Sequence, residues 1–198
     1  MTRVLSGAVL LAITIALVWF ASATIFFLVA EALLLISFGE YAALARASGT
    51  PVPEAPAALA AGFTAMAFSR IAFNVPWVSI DIVLMASLVV LGIFTLAQWK
   101  GGPNALALAS AAVFPCFYLG LPIGAMIVIR EVEGPKALFL LMLAVAVSDT
   151  AQYYTGRAFG RRPLAPAISP KKTIEGAVGG FVVGPIFLAV AGAWWRSS

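Results

Sequence analysis

The sequence predicts an all-α protein, a polytopic bundle of membrane-spanning helices. Of its 198 residues, 63% are hydrophobic and only 10% are charged, and the mean hydropathy is +1.05. In soluble globular domains, roughly a quarter of all residues are charged. A membrane helix needs about 20 mainly apolar residues, and the chain contains about seven such runs. We therefore expect one integral membrane domain over residues 1–198, with about seven spans.

The apolar runs place these spans in order along the chain. Residues 4–38 are too long for one span and predict two helices with a break at residues 21–24. The remaining spans are expected at residues 56–73, 77–97, 104–129, 137–155 and 177–195. Pro115 and Pro122 interrupt the run at 104–129, which leaves three forms open: a kinked helix, a re-entrant segment or two short pieces.

The distribution of Lys and Arg predicts the orientation. With a cytoplasmic amino terminus, four basic residues fall outside, namely Arg70, Arg130, Lys136 and Arg196. The other eight fall inside, and cytoplasmic loops carry the excess of Lys and Arg. We therefore expect a bacterial-type inner-membrane topology in which residues 156–176, here called the basic segment, face the cytoplasm.

Residue counts exclude several kinds of chemistry. The chain has no histidine and a single cysteine, Cys116, so His-based zinc sites, Ser-His-Asp systems and intrachain disulfides are excluded. The net charge is +4, but the basic residues flank apolar spans as topology signals do. We expect no nucleic acid partner, and phosphates or anionic lipid head groups instead.

An acidic residue lies near the end of the sixth predicted span. In a helix that continues from about Lys136, Asp149, Tyr153 and Gly156 lie on one face. Two interpretations remain. The carboxylate of Asp149 either closes the bundle by pairing with Arg157 or another basic group, or belongs to a metal or phosphate site. An ionisable group at membrane depth favours the functional interpretation.

The basic segment contains three prolines that prevent a continuous helix. Ser169 and Pro170 resemble an N-cap and first helical residue, which predicts a new helix starting at Lys171. Free backbone N–H groups at that start, together with Lys171 and Lys172, would face an anion. The alternative is an ordinary cytoplasmic basic flank, and the two lysines alone do not decide between them.

The last predicted span begins with small residues at regular spacing. Gly176, Gly180 and Gly184 recur every four residues, which favours close helix packing. Glu175 keeps several roles open, among them an ion pair with Lys171 and a metal ligand.

Charged residues also lie outside this region. Arg130, Glu131, Glu133 and Lys136 are interpreted as a solvated connector on the outer face. Glu31, inside the second apolar run, could be a buried proton or ion ligand as in a transporter.

Two motifs resemble a known family. Residues 148–162, SDTAQYYTGRAFGRR, and residues 169–180, SPKKTIEGAVGG, are similar to the phosphatidate cytidylyltransferases, or CDP-diacylglycerol synthases. The resemblance implies transfer of a cytidylyl group from CTP to phosphatidic acid with Mg²⁺, giving CDP-diacylglycerol and pyrophosphate. Ile174 and Gln152 depart from the family, which has an aromatic and a small residue there. A second, acidic family signature is absent before Ser198, so we expect the N-terminal part of a longer enzyme.

The resemblance also implies residue roles. Asp149 and Lys172 are expected to be catalytic, with Asp149 also a metal ligand. The expected substrate-binding residues are Tyr153, Arg157, Arg161, Ser169, Lys171, Thr173, Glu175 and Gly176. The expected partners are CTP, phosphatidic acid and membrane lipids, and homo-oligomerisation is left open. Another CTP-dependent lipid enzyme, a transporter and a non-catalytic membrane fragment remain as alternatives.

Overall fold

A computed structural model describes residues 2–70 and 79–197 of the chain. It confirms an all-α membrane protein, since helices make up nearly all of the regular structure. The chain forms two compact units, Met1–Gly134 and Pro135–Ser198. The regular structure of the first unit, over its described residues, is helical. The second contains two long helices joined by a small β-hairpin. The single membrane domain over residues 1–198 stays a prediction.

The predicted break near residue 22 separates the first two helices. Helix α1 ends at Phe20, and α2 follows as Ala23–Ala47. Ser22 is the N-cap of α2, because its hydroxyl accepts the backbone N–H of Ile25 at 3.2 Å. The other helices of this unit are α3 (Glu54–Met66), α4 (Ile80–Gln98), α5 (Ala105–Pro115) and α6 (Leu121–Val132), with α1 covering Thr2–Phe20.

Among the described residues, five helical segments are long and apolar enough to cross a membrane. They are α2, α4, Ala105–Val132, α7 (Gly134–Phe159) and α8 (Ile174–Ser197). The apolar part of α1, Leu5–Phe20, is shorter. The span predicted at 56–73 is wrong in length over the described residues, because α3 has 13 residues and is about 20 Å long, well under the membrane core. Residues 71–73 and 77–78 of the predicted spans lie outside the described residues.

The segment with two prolines is one continuous, bulged helical path. Between α5 and α6 lies a π-helical turn, Cys116–Gly120, flanked by Pro115 and Pro122. Proline lacks the backbone N–H that an α-helix needs, and a local π turn absorbs that gap. Gly120 in this turn contacts α3, where a methyl group on its α carbon would lie 2.8 Å from the carbonyl oxygen of Ala61. The re-entrant and two-piece alternatives are therefore wrong.

The connector at the end of α6 does more than face solvent. The Arg130 guanidinium donates to the carbonyl oxygens of Val18 at 3.0 Å and Ala21 at 2.8 Å. Glu131 accepts the Ser69 hydroxyl at 2.6 Å and the backbone N–H of Arg70 at 2.8 Å. The solvated-connector interpretation is wrong for these two residues. They bind the chain at the ends of α1 and α3.

Glu31 lies in α2 beside α3. One of its carboxylate oxygens, Oε1, is buried without a hydrogen-bond partner among the described residues. A methyl group at Gly62 would lie 3.4 Å from the other oxygen, Oε2. The proton or ion role predicted for Glu31 stays a prediction.

Candidate active site

The second unit is a pair of helices in close contact. Helix α7 is Gly134–Phe159 and α8 is Ile174–Ser197. A methyl group at Gly176 would lie 2.8 Å from the carbonyl oxygen of Gln152, and one at Gly184 would lie 2.9 Å from Cβ of Ser148. The Ser148 hydroxyl donates to the carbonyl oxygen of Gly180 at 2.9 Å. The packing role predicted for the glycines is confirmed.

A β-hairpin connects the two helices. Strand β1, Pro163–Ala165, pairs antiparallel with β2, Ser169–Thr173. The helix start predicted at Lys171 is therefore wrong, because Lys171 and Lys172 lie in a strand and α8 begins at Ile174. Strand pairing keeps residues 169–172 extended, so Ser169 cannot act as the N-cap.

Thr173 caps α8 instead. Its hydroxyl oxygen accepts the backbone N–H of Gly176 at 3.2 Å, which is the N-cap hydrogen bond. The same side chain lies against the end of α7, since a methyl group at Gly156 would come within 3.0 Å of Thr173 Oγ1. A methyl group at Gly160 would come closer still, within 2.8 Å of Thr173 Oγ1. Sequence reasoning missed this role of Gly156 and Gly160, although their four-residue spacing was a signal for close approach.

Two of the first three backbone amides of α8 are already used within the chain. The N–H of Ile174 donates to the carbonyl oxygen of Arg162 at 2.9 Å, and that of Gly176 donates to Thr173. The Glu175 carboxylate accepts the backbone N–H groups of Arg161 at 3.0 Å and Arg162 at 3.3 Å. The expectation of free amides that face an anion at residue 171 is therefore wrong. Glu175 joins the start of the hairpin to the start of α8.

The cationic side chains of the basic segment remain exposed. They are Arg157, Arg161, Arg162, Lys171 and Lys172. Arg157 donates a hydrogen bond to the Tyr153 hydroxyl at 3.4 Å, and Ser169 is half-buried. Because side chains alternate along a strand, Lys171 shares a face with Thr173 while Lys172 lies on the opposite face. The hairpin therefore presents positive charge on both of its faces.

Asp149 is exposed on α7, and in the part of the chain that the structure describes it forms no ion pair with Arg157. The bundle-closing interpretation is therefore wrong for a pair with Arg157. The described residues contain no group of three His, Cys, Asp or Glu side chains that could hold a metal ion. One carboxylate oxygen of Glu175 already accepts two backbone amides, whereas Asp149 makes no such contact among the described residues. Mg²⁺ is commonly held by one or two carboxylates together with substrate phosphates and water, so Asp149 fits a partial site.

Comparison with known proteins identifies the family. The profile of the cytidylyltransferase family matches residues 1–197. The chain belongs to this family. The resemblance that the two motifs carry is thereby confirmed, and the exposed basic hairpin described above lies in a cytidylyltransferase-family chain.

Three bacterial relatives named phosphatidate cytidylyltransferase illustrate the similarity. The Aquifex aeolicus protein is 38% identical over 79 residues, covering 40% of this chain and 30% of that protein. The Mycobacterium tuberculosis protein is 42% identical over 83 residues, covering 41% and 25%. The Bacillus subtilis protein is 32% identical over 75 residues, covering 37% and 28%. Each match therefore spans less than a third of the relative's length.

Proposed function

We propose that this chain belongs to a membrane nucleotidyltransferase that converts CTP and phosphatidic acid to CDP-diacylglycerol and pyrophosphate. The observation that carries the proposal is the exposed, cationic β-hairpin at the ends of two apolar helices. Family membership and the names of the relatives support it. A hairpin in this place can meet a water-soluble triphosphate and a lipid phosphate together.

The reaction needs charge neutralisation more than proton transfer. A phosphate oxygen of phosphatidic acid attacks the α-phosphorus of CTP. The bond from that phosphorus to the oxygen bridging the α- and β-phosphates breaks, and pyrophosphate leaves with the electron pair. The attacking oxygen is already anionic, so no histidine base is required. Both reactants are anions, and positioned cations lower the cost of bringing them together.

Different residues of the basic segment bind different phosphate groups in this proposal. We assign Lys172 to the reacting phosphate, and Lys171, Arg161 and Ser169 to the other CTP phosphates. Arg157, with the Tyr153 hydroxyl as its neighbour, meets the lipid phosphate.

Three further residues hold the hairpin in position. Thr173 and Gly176 form the cap of α8, and Glu175 binds the hairpin backbone. Their contribution to substrate binding is therefore to fix where the cationic side chains lie.

Magnesium and sidedness complete the proposal. Asp149 would supply one carboxylate to Mg²⁺, which when bound would neutralise phosphate charge. The basic segment faces the cytoplasm, where CTP is found, and the concentration of Lys and Arg in it supports this orientation.

A labelled-nucleotide assay tests the function. Full-length protein in nanodiscs is incubated with Mg²⁺, CTP labelled at the α-phosphate, and one acceptor lipid at a time. Phosphatidic acid should yield labelled lipid and unlabelled pyrophosphate in equal amounts, while diacylglycerol, which lacks the phosphate, should yield neither. Labelled product from a polyprenyl phosphate alone would favour the other CTP-dependent lipid enzyme. Absence of product from every acceptor would contradict the proposal.

A further inference from the structure

An apolar groove lies along the helix pair of the second unit. Its volume is about 470 Å³, and its walls include Leu143, Val147, Thr150 and Tyr154 of α7 and Val183 of α8. The Thr150 hydroxyl donates to the carbonyl oxygen of Ala146 at 2.8 Å, so its polarity is used within the helix. The groove therefore presents an apolar surface along most of its length.

The groove has an apolar end and a cationic end. From Leu143 to Tyr154 it follows α7 for about 16 Å. Three residues after Tyr154, on the same stripe of the helix, comes the exposed Arg157. Both helices are apolar and long enough to span a membrane, so the groove follows a membrane-spanning helix and ends at a positive charge. Its shape and charge match an amphiphile with one chain in the groove and an anionic head group.

We propose that this groove holds an acyl chain of the anionic lipid substrate, with the lipid phosphate at Arg157. The proposal rests on the proposed function and extends it, because it names the surface that aligns the lipid. An acyl chain in a bilayer is already out of water, so burial from water does not drive its entry. The groove acts by shape, holding the chain parallel to α7 while the phosphate is held next to the hairpin.

Adjacent valines give a matched kinetic test. Val183 lines the groove, whereas Val182 is exposed on another face of α8 and does not line it. Val147→Trp and Val183→Trp should fill the groove and raise the apparent KM for phosphatidic acid, as surface mole fraction, by about tenfold, while the KM for CTP stays unchanged. Val182→Trp should resemble the unsubstituted protein. Equal lipid KM values in all three variants of an active enzyme would overturn the proposal that the groove holds an acyl chain. The proposed function would still stand.

A binding measurement that needs no turnover separates the two proposals. Phosphatidic acid with a photoreactive diazirine within one acyl chain is cross-linked to the full-length protein in nanodiscs, and the adducts are mapped by mass spectrometry. We expect adducts between residues 143 and 154, reduced about tenfold by Val147→Trp and Val183→Trp but not by Val182→Trp. The unsubstituted protein should cross-link this probe more than an otherwise identical phosphatidylcholine probe. Arg157→Gln should remove that preference.

Two outcomes of the cross-linking would overturn the inference. One is adducts spread evenly over the outer faces of α7 and α8, which would indicate ordinary contact with bulk lipid. The other is a change of oligomeric state in Val147→Trp and Val183→Trp, which would assign the groove to a second copy of the chain. If the protein makes no product but the adducts map to the groove and depend on Arg157, the proposed reaction fails while lipid binding stands.

Discussion

The Glu175 carboxylate and the backbone N–H of Arg161 are joined by a 3.0 Å hydrogen bond across 14 residues. The same carboxylate oxygen accepts the N–H of Arg162, so one side chain binds two successive amides at the start of the hairpin. Because Glu175 lies in the first turn of α8, this contact fixes the basic hairpin relative to that helix. It also explains why an acid is present within a segment that we propose binds phosphates.

Replacing Glu175 should loosen the hairpin without unfolding the unit. Glu175→Ala leaves both amides without an acceptor, so hydrogen exchange at Arg161 and Arg162 should accelerate by about tenfold, and CTP turnover should fall. Glu175→Gln keeps one acceptor oxygen, so its exchange rates and turnover should lie between those of the unsubstituted protein and Glu175→Ala. Hydrogen exchange measured by mass spectrometry on overlapping peptides checks this. Unchanged exchange in Glu175→Ala would contradict the contact.

The glycine ridge of α8 gives a stability prediction with an internal control. At Gly180 a methyl group would lie 2.9 Å from the Ser148 carbonyl oxygen and closer still to Gln152, so Gly180→Ala should destabilise the protein by about 1–3 kcal/mol. At Gly192 the nearest atom would be 3.7 Å away, in Leu140. Gly192→Ala should be neutral or slightly stabilising, because alanine favours helix. Thermal unfolding in detergent compares Gly180→Ala with Gly192→Ala. Equal unfolding midpoints in the two variants would refute the close approach of α8 to α7 at Gly180.

Glu131 provides a second stability test, in the first unit. Its two hydrogen bonds hold Ser69 and Arg70 at the end of α3, so Glu131→Ala should cost about 2 kcal/mol of unfolding free energy. Glu133 lies two residues later and is exposed. Glu133→Ala should change stability by less than about 0.5 kcal/mol. Matching losses in both variants would mean that net charge, and not these contacts, sets the effect.

Lys172 should matter for turnover. Lys172→Ala should lower kcat by about 100-fold, the usual scale for losing one positioned charge at a reacting centre. Lys171→Ala should act chiefly on the KM for CTP, because Lys171 lies on the other face of β2. Lys136→Ala, at an exposed position in the first turn of α7, serves as the control. Normal steady-state kinetics for Lys172→Ala in a folded protein would remove Lys172 from the mechanism.

Metal removal tests the role of Asp149. Chelation by EDTA should abolish cytidylyl transfer, and added Mg²⁺ should restore it. Asp149→Asn should raise the Mg²⁺ concentration for half-maximal rate by at least about tenfold, since one ligand is weakened. Asp81→Asn, in the first turn of α4, should leave that concentration unchanged. An unaltered Mg²⁺ requirement in Asp149→Asn would exclude Asp149 as a ligand.

Much of the fold could be predicted because the signals are local. The break at Ser22 and the helix-packing glycines depend on run length, capping and spacing, which neighbouring residues determine. The two motifs likewise led to the correct family, because they lie within short stretches of chain. Even the positions of Asp149 and Tyr153 on α7 followed from helical periodicity.

The sequence by itself therefore determined the membrane class, most helix positions, the family and the set of candidate residues. Only the tertiary structure decided which groups are free and which are engaged. Thr173, not Ser169, caps α8, and Glu175 binds amides 13 and 14 residues away. Arg130 binds carbonyl groups more than 100 residues earlier. A hydrogen-bond partner depends on which distant segments the fold brings within about 3 Å, and no local pattern carries that information.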